Sequence, residues 1–174
     1  MTEHAPQLAW GHINVNVRDL ERSVAFYELL GFEVYRDGIP YLGLGADAAA
    51  ALPDACASAL GLPAGATGRA CIMQLGPGYP KLDLTEVDPA SLNGTEPRAP
   101  LANADRGVVR LCLGTRDLAA THAYLSAQGV PFLSAPQTGA GGLADIALCT
   151  DPDGTLIELI QIHRDKWPSP QPGI

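Results

Sequence analysis

Residues 18–32 read RDLERSVAFYELLGF and residues 116–130 read RDLAATHAYLSAQGV, two stretches 98 positions apart that open on Arg-Asp-Leu and carry a Gly near their end. Ser23, Phe26 and Gly31 in the first correspond to Thr121, Tyr124 and Gly129 in the second. Each Asp stands where an N-cap is expected, its carboxylate able to accept from the free N–H groups of a first helical turn. Apolar residues follow at helical spacing (Leu20, Val24, Tyr27, Leu30; then Leu118, Leu125), and the Gly supplies the left-handed residue that ends a helix. The spacing predicts two equivalent helices.

Upstream of each helix the period changes to two. Ile13, Val15 and Val17 alternate with His12, Asn14 and Asn16, and Leu111 and Leu113 alternate with Arg110, Cys112 and Gly114, so a strand with one polar face precedes each helix. Downstream, Gly76-Pro77-Gly78-Tyr79 leads into Lys81-Leu82-Asp83-Leu84. Asp151-Pro152-Asp153-Gly154 leads into Leu156-Ile157-Glu158-Leu159 at an offset of 75. Both read as a hairpin turn entering a final strand. The two offsets differ by 23 residues, the length of the Ala-rich stretch 46–68, which is therefore the insertion in the first copy. A short helix over 48–52 and 55–60, broken at Pro53, is expected there, as a lid or as an inert surface excursion. Module one then spans 8–87, a Pro-, Ala- and Asn-rich linker 88–105, module two 106–163, and a loosely held tail 164–174.

With 174 residues, 47% of them hydrophobic, the chain is long enough for one proper core. A net charge of −8 and the lack of a basic stripe argue against nucleic acid and anionic membrane as partners. No apolar run long enough to span a bilayer and no signal-peptide pattern at the start lead to a cytoplasmic location as the expectation. Cys56, Cys71, Cys112 and Cys149 sit singly, without zinc-ligand spacing, and read as small core fillers in a reducing compartment.

The doubled pattern, with Gly11-His12-Ile13, the segment from Arg18 to Phe32, and the run from Asp151 to Gln161, resembles the vicinal oxygen chelate superfamily of glyoxalases, bleomycin-resistance proteins and dioxygenases. The resemblance covers roughly residues 8–163. It implies an α+β fold, two βαβββ modules forming an incomplete curved β-barrel around one cleft, and a small-molecule ligand. It also implies a homodimer, and a divalent metal (Fe, Mn, Zn or Ni) held by first and last strands of both modules. Carried over residue by residue, these positions are His12 and Arg110 on the first strands and Asp83 and Glu158 on the last. Strand alternation independently places Asp83 and Glu158 on the face opposite their Leu and Ile neighbours.

Arg110 complicates the metal, because a guanidinium has no lone pair to donate. His12, Asp83 and Glu158 remain as metal ligands, but an inward guanidinium about 6 Å from a divalent ion opposes it by about 5 kcal/mol at an effective dielectric of about 20. Three readings of Arg110 stand open: a bidentate salt bridge to Glu158 or Asp83 that closes the site without metal, a clamp on a substrate carboxylate or phosphate, or a side chain turned away while three ligands hold an ion. The same residue argues against extradiol-type dioxygenase chemistry, whose two-His-one-carboxylate site needs a second His there. Lyase, isomerase or epimerase chemistry by proton transfer on an oxygenated metabolite fits best, with Glu158 as general base and His12 as ligand or acid/base. Arg110, Asn14, Asn16 and Cys112 are the substrate-binding candidates. The alternative is a metal-free, antibiotic-type binding and sequestration protein. Glu86, on the other face from Asp83, reads as a solvated carboxylate; His122 reads as packed or half-exposed; His4 and His163 read as bystanders.

Overall fold

The computed structural model describes residues 7–94 and 98–168. Between Pro97 and Arg98 the chain divides into two compact units. His4 lies outside the described residues.

In the first unit β1 (His12–Asn16) leads into α1 (Leu20–Leu29), and the Asp19 carboxylate accepts from the Arg22 N–H at 2.9 Å, as its cap position predicts. Gly31 closes the helix at φ +90°, in the left-handed region that suits glycine. After β2 (Glu33–Arg36) come the short strands β3 (Gly38–Ile39), β4 (Leu44–Gly45) and β5 (Ala50–Ala51), the helix α2 (Asp54–Ala59), and the long strands β6 (Thr67–Gln74) and β7 (Lys81–Val87). The main sheet runs β1-β7-β6-β2, with β1 parallel to β7 and the other pairs antiparallel. Val15, Val17, Cys71, Met73, Leu82 and Leu84 are buried, as are Leu20, Phe26 and Tyr27 of α1, which packs on β6 and β7.

The insertion differs from its expected form. Residues 50–51 form β5, paired with β6 through Ala50↔Gly68 and Ala51↔Thr67, and the helix is confined to Asp54–Ala59 behind Pro53. Five residues ahead of a proline are too few to sustain a helix, and the edge of β6 offers their backbone groups partners. The insertion and the residues before it form one excursion between β2 and β6 that closes on an apolar cluster: Ile39, Leu42, Leu44, Leu52, Ala57 and Ala66 are buried with Ala70, and Ile72 packs against them. Ala70 and Ile72 stand opposite Thr85 and Asp83 in the β6–β7 register, so the excursion covers part of the sheet face that carries Asp83.

The second unit repeats the topology with β8 (Arg110–Gly114), α3 (Leu118–Ala127), β9 (Gln137–Thr138), β10 (Ala144–Thr150) and β11 (Leu156–Ile162) in the order β8-β11-β10-β9, β8 parallel to β11. Asp117 caps α3 on the Ala120 N–H at 2.9 Å, and Gly129 ends it at φ +82°. His122 packs its ring against Phe132, 4.3 Å between centroids. At the chain's end Arg164–Lys166 form a 3-10 turn, the Trp167 indole donates to the Leu143 carbonyl at 3.0 Å, and His163 pairs with Asp145 at 2.8 Å. His163 is thus engaged in a side-chain pair of its own.

Each helix start receives a second cap from the last strand of its unit. Glu86 Oε2 accepts from the Leu20 N–H at 2.7 Å, and Gln161 Oε1 accepts from the Leu118 N–H at 2.8 Å. This corrects the reading of Glu86 as a solvated carboxylate: it is also gripped by Arg69, whose guanidinium spans Glu86 and Glu21. Cys71 and Cys149 are core fillers, whereas Cys56 is half-buried and Cys112 is exposed on the polar face of β8. Among the described residues no helix is long and apolar enough to cross a membrane.

Candidate functional site

The polar faces of the first and last strands of each unit carry the predicted residues. In the first unit His12, Asn14 and Asn16 are exposed along β1, and His12 and Asn14 stand opposite Lys81 and Asp83 in the parallel register with β7. His12 Nδ1 lies 3.6 Å from Asp83 Oδ2, close but beyond a hydrogen bond. The Asp83 residue is 1% exposed, and its Oδ1 has no hydrogen-bond partner among the described residues. Burial raises the Asp83 pKa above the usual carboxylate range, with the His12 charge and the nearby Tyr41 phenol opposing the rise. Tyr41 comes from the excursion, on the turn Pro40–Leu42, and its own pKa is raised by burial and by the Asp83 carboxylate. Below this pair Thr85 Oγ1 donates to Asn14 Oδ1 at 2.8 Å, and Asn14 Nδ2 donates to Asn16 Oδ1 at 2.9 Å.

In the second unit the same strand positions make a closed ion pair. Arg110 Nε donates to Glu158 Oε2 at 2.5 Å, and Nη1 donates to Asn103 Oδ1 at 3.0 Å. Cys112 Sγ donates to Glu158 Oε1 at 3.4 Å, and partial desolvation of the sulfur, although the residue as a whole is exposed, together with the Glu158 charge pushes the thiol pKa up to about 11. Arg110 contacts Glu158 through a single guanidinium nitrogen, and not as the bidentate fork expected of a salt bridge that closes the site. Asn103 was not legible as a site residue. It lies in the linker, and no periodicity or motif marks it.

Within each unit taken by itself these donors do not make up a divalent-metal site. Both Glu158 oxygens already accept from protein donors, Arg110 has no lone pair, and the first unit offers one imidazole and one carboxylate. Within neither unit, among the described residues, do three His, Cys, Asp or Glu side chains converge as a metal centre requires. His12, Asp83 and Glu158 are therefore described by their protein partners.

Two tandem βαβββ units, each with an open sheet, define a glyoxalase-type α+β fold. The chain belongs to the Glyoxalase/Bleomycin resistance protein/Dioxygenase superfamily, whose family model matches residues 9–159. Among solved structures it is similar to a glyoxalase family protein from Bacillus cereus, with a TM-score of 0.71 at 14% identity, covering 93% of this chain and 98% of that one. A superfamily member from Sphaerobacter thermophilus aligns with a TM-score of 0.58 at 20% identity over 88% of this chain and 98% of the other. The trypanothione-dependent glyoxalase I of Leishmania major aligns with a TM-score of 0.56 at 23% identity, over 89% and 87%. At these identities the likeness is one of fold. No curated protein matches the chain.

Proposed function

We propose that this chain is a small-molecule enzyme of its superfamily, of lyase, isomerase or epimerase type, that moves a proton on an oxygenated metabolite with the His12–Asp83 pair of module one. The observation that carries the reading is a buried carboxyl with one oxygen unpartnered, beside an imidazole that is 45% exposed. An unsatisfied buried carboxyl oxygen costs stability unless a ligand group or a transferred proton completes it. Asp83 then acts as the base. It takes a proton from a carbon next to a carbonyl, the C–H electron pair becomes the C=C bond of an enolate, and the proton on Asp83 returns to the same carbon or its neighbour. His12, at the mouth of the pair, donates to the developing enolate oxygen. The Asn16 amide nitrogen, with no partner among the described residues, is a further hydrogen-bond donor for the substrate. Glu158 is read as the partner of Arg110, with Cys112 beside it, so Asp83 replaces it as first choice for the base.

A second reading, binding without turnover, draws on module two. There Ile146, Leu148 and Ile160 are half-exposed on strands beside Glu158 and Cys112, a surface suited to an apolar ligand. Incubating the protein in D2O with a panel of 2-oxo, 2-hydroxy and 1,2-dicarbonyl compounds separates the two. Deuterium enters the carbon next to the carbonyl if Asp83 transfers protons, and Asp83→Asn slows that entry by about 100-fold or more. Saturable binding of panel members with no exchange, unchanged in Asp83→Asn, favours sequestration.

A further inference from the structure

We propose that Lys81, the first residue of β7, is an anchor for an oxyanion, the carboxylate or phosphate group of a small-molecule ligand. The proposal rests on the reading of module one's polar face as a ligand site, and names the class of ligand it takes. Lys81 is only 6% exposed, yet no carboxylate pairs with it among the described residues. Its Nζ donates to Gln74 Oε1 at 2.6 Å and lies 4.7 Å from the Tyr35 ring centroid and 5.2 Å from that of Tyr79, two rings that are themselves exposed. Gln74 in turn donates to Glu33 Oε1 at 2.6 Å, which holds its carbonyl oxygen toward the lysine. One neutral hydrogen bond and two ring faces are a thin replacement for the hydration of a buried ammonium.

The duplicated fold supplies the internal control. The position equivalent to Lys81 in module two is Leu156, which is 7% exposed and pairs with Arg110 in register as Lys81 pairs with His12. A buried leucine therefore satisfies this place in the architecture, and the lysine is not required by the strand. The surrounding residues change with it. Tyr35 corresponds to Leu133 at the 98-residue offset, and Tyr79 to Gly154 at the 75-residue offset. Cation, amide and two aromatic faces thus occur together in module one and are missing from its copy. Lys81 shares the strand face of Asp83, two residues on, and neighbours His12 across the register, so an oxyanion on Lys81 places the rest of a small ligand along the His12–Asp83 pair. The tyrosine rings favour a flat or aromatic body next to the anionic group.

The sequence contains two lysines, Lys81 and Lys166, which makes the test direct. Protein labelled with 13C at lysine Cε is titrated with sodium benzoate, with inorganic phosphate and with neutral benzamide. The expected result is a saturable shift of the Lys81 signal with benzoate or phosphate and none with benzamide, while Lys166 stays put. The arm that saturates at lower concentration tells carboxylate from phosphate. Lys81→Leu, the residue of the other copy, keeps the fold and weakens binding of that anion by about tenfold or more. An unmoved Lys81 signal in all three arms overturns the anchor, as does undiminished anion affinity in Lys81→Leu. The two readings fail separately. If Lys81 titrates while no panel compound exchanges deuterium, proton transfer falls and the anchor stands. If exchange occurs and Lys81→Leu leaves its KM for an anionic substrate unchanged, the anchor falls and proton transfer stands.

Discussion

Asp83 and Glu158 occupy the same place in two copies of one supersecondary unit, and their surroundings set them apart. In module one the excursion between β2 and β6 packs on the sheet face that holds Asp83, leaving the carboxyl desolvated with His12 as its near neighbour. Module two has no such cover: the Glu158 side chain is 13% exposed and is neutralised by Arg110. A carboxylate on an inner strand face needs a cation, a proton or a ligand. Module two uses a cation of its own, while module one leaves the choice between proton and ligand open. The backbone topology is shared, so the difference lies in side chains and one insertion.

The largest effect expected from breaking this contrast is at Arg69, which ties Glu21 of α1 and Glu86 of β7 to the Ala46 carbonyl at the start of the insertion. Its guanidinium is mostly buried, and the two carboxylates hold its pKa above the ordinary arginine value. Arg69→Met leaves Glu86 without its charge partner and is expected to destabilise by about 2 kcal/mol, discounted from the cost of a fully buried pair because Glu21 is exposed. Chemical denaturation reads it. A midpoint unchanged from wild type shows that the excursion holds its place without this link.

Asp83 comes next, with the opposite sign. A carboxyl whose pKa is higher folded than unfolded contributes stability that is full below the unfolded value and is lost as pH rises through the folded one. The raised pKa of Asp83 therefore makes it a liability at neutral pH. Asp83→Asn is expected to raise stability by about 1–2 kcal/mol at pH 7. The gain shrinks as pH falls through the folded pKa and vanishes below 3.8, where the wild-type carboxyl is protonated in both states. Melts at pH 7 and pH 4 check the sign; a variant less stable than wild type at pH 7 contradicts a desolvated carboxyl. Stability gained together with exchange activity lost is the pattern of a residue kept for chemistry.

A smaller contrast lies at the helix starts. Thr121 Oγ1 bonds to Thr115 Oγ1 at 2.8 Å and to the Asp117 carbonyl at 2.7 Å, whereas Ser23, its equivalent, has a buried hydroxyl without a partner among the described residues. Val17 stands where module two has Thr115, which removes one of the two partners that the Thr121 hydroxyl has. Thr121→Val is expected to cost about 1 kcal/mol and Ser23→Ala about zero, measured side by side in urea. Equal losses at the two positions break the correspondence.

Local physics made most of this architecture legible from sequence. Caps, glycine stops and the change from period 3.6 to period 2 are short-range signals, and Asp19, Gly31, Asp117 and Gly129 perform the expected roles. What depended on packing was less legible. Residues 50–51 became a strand because β6 offered an edge, which no local propensity announces. Glu86 was misread although the 75-residue offset pairs it with Gln161, and two acceptor side chains aimed at two helix starts were a readable signal. Lys81 opposite Leu156 was readable in the same way. The Arg110–Asn103 contact was not, since a linker asparagine carries no pattern.

A small loss is expected at Glu158→Gln. Arg110 is 40% exposed, so solvent screens the pair and the loss is about 0.5 kcal/mol, most visible at low salt. A double-mutant cycle with Arg110→Gln isolates the pair from any change in packing. If the coupling is several times larger, Glu158 is held in a drier setting than its exposure implies, and module two approaches module one in character. If it is near the expected value, Arg110 can release Glu158 to a ligand at little cost, and module two keeps a guanidinium free to bind anions in its turn.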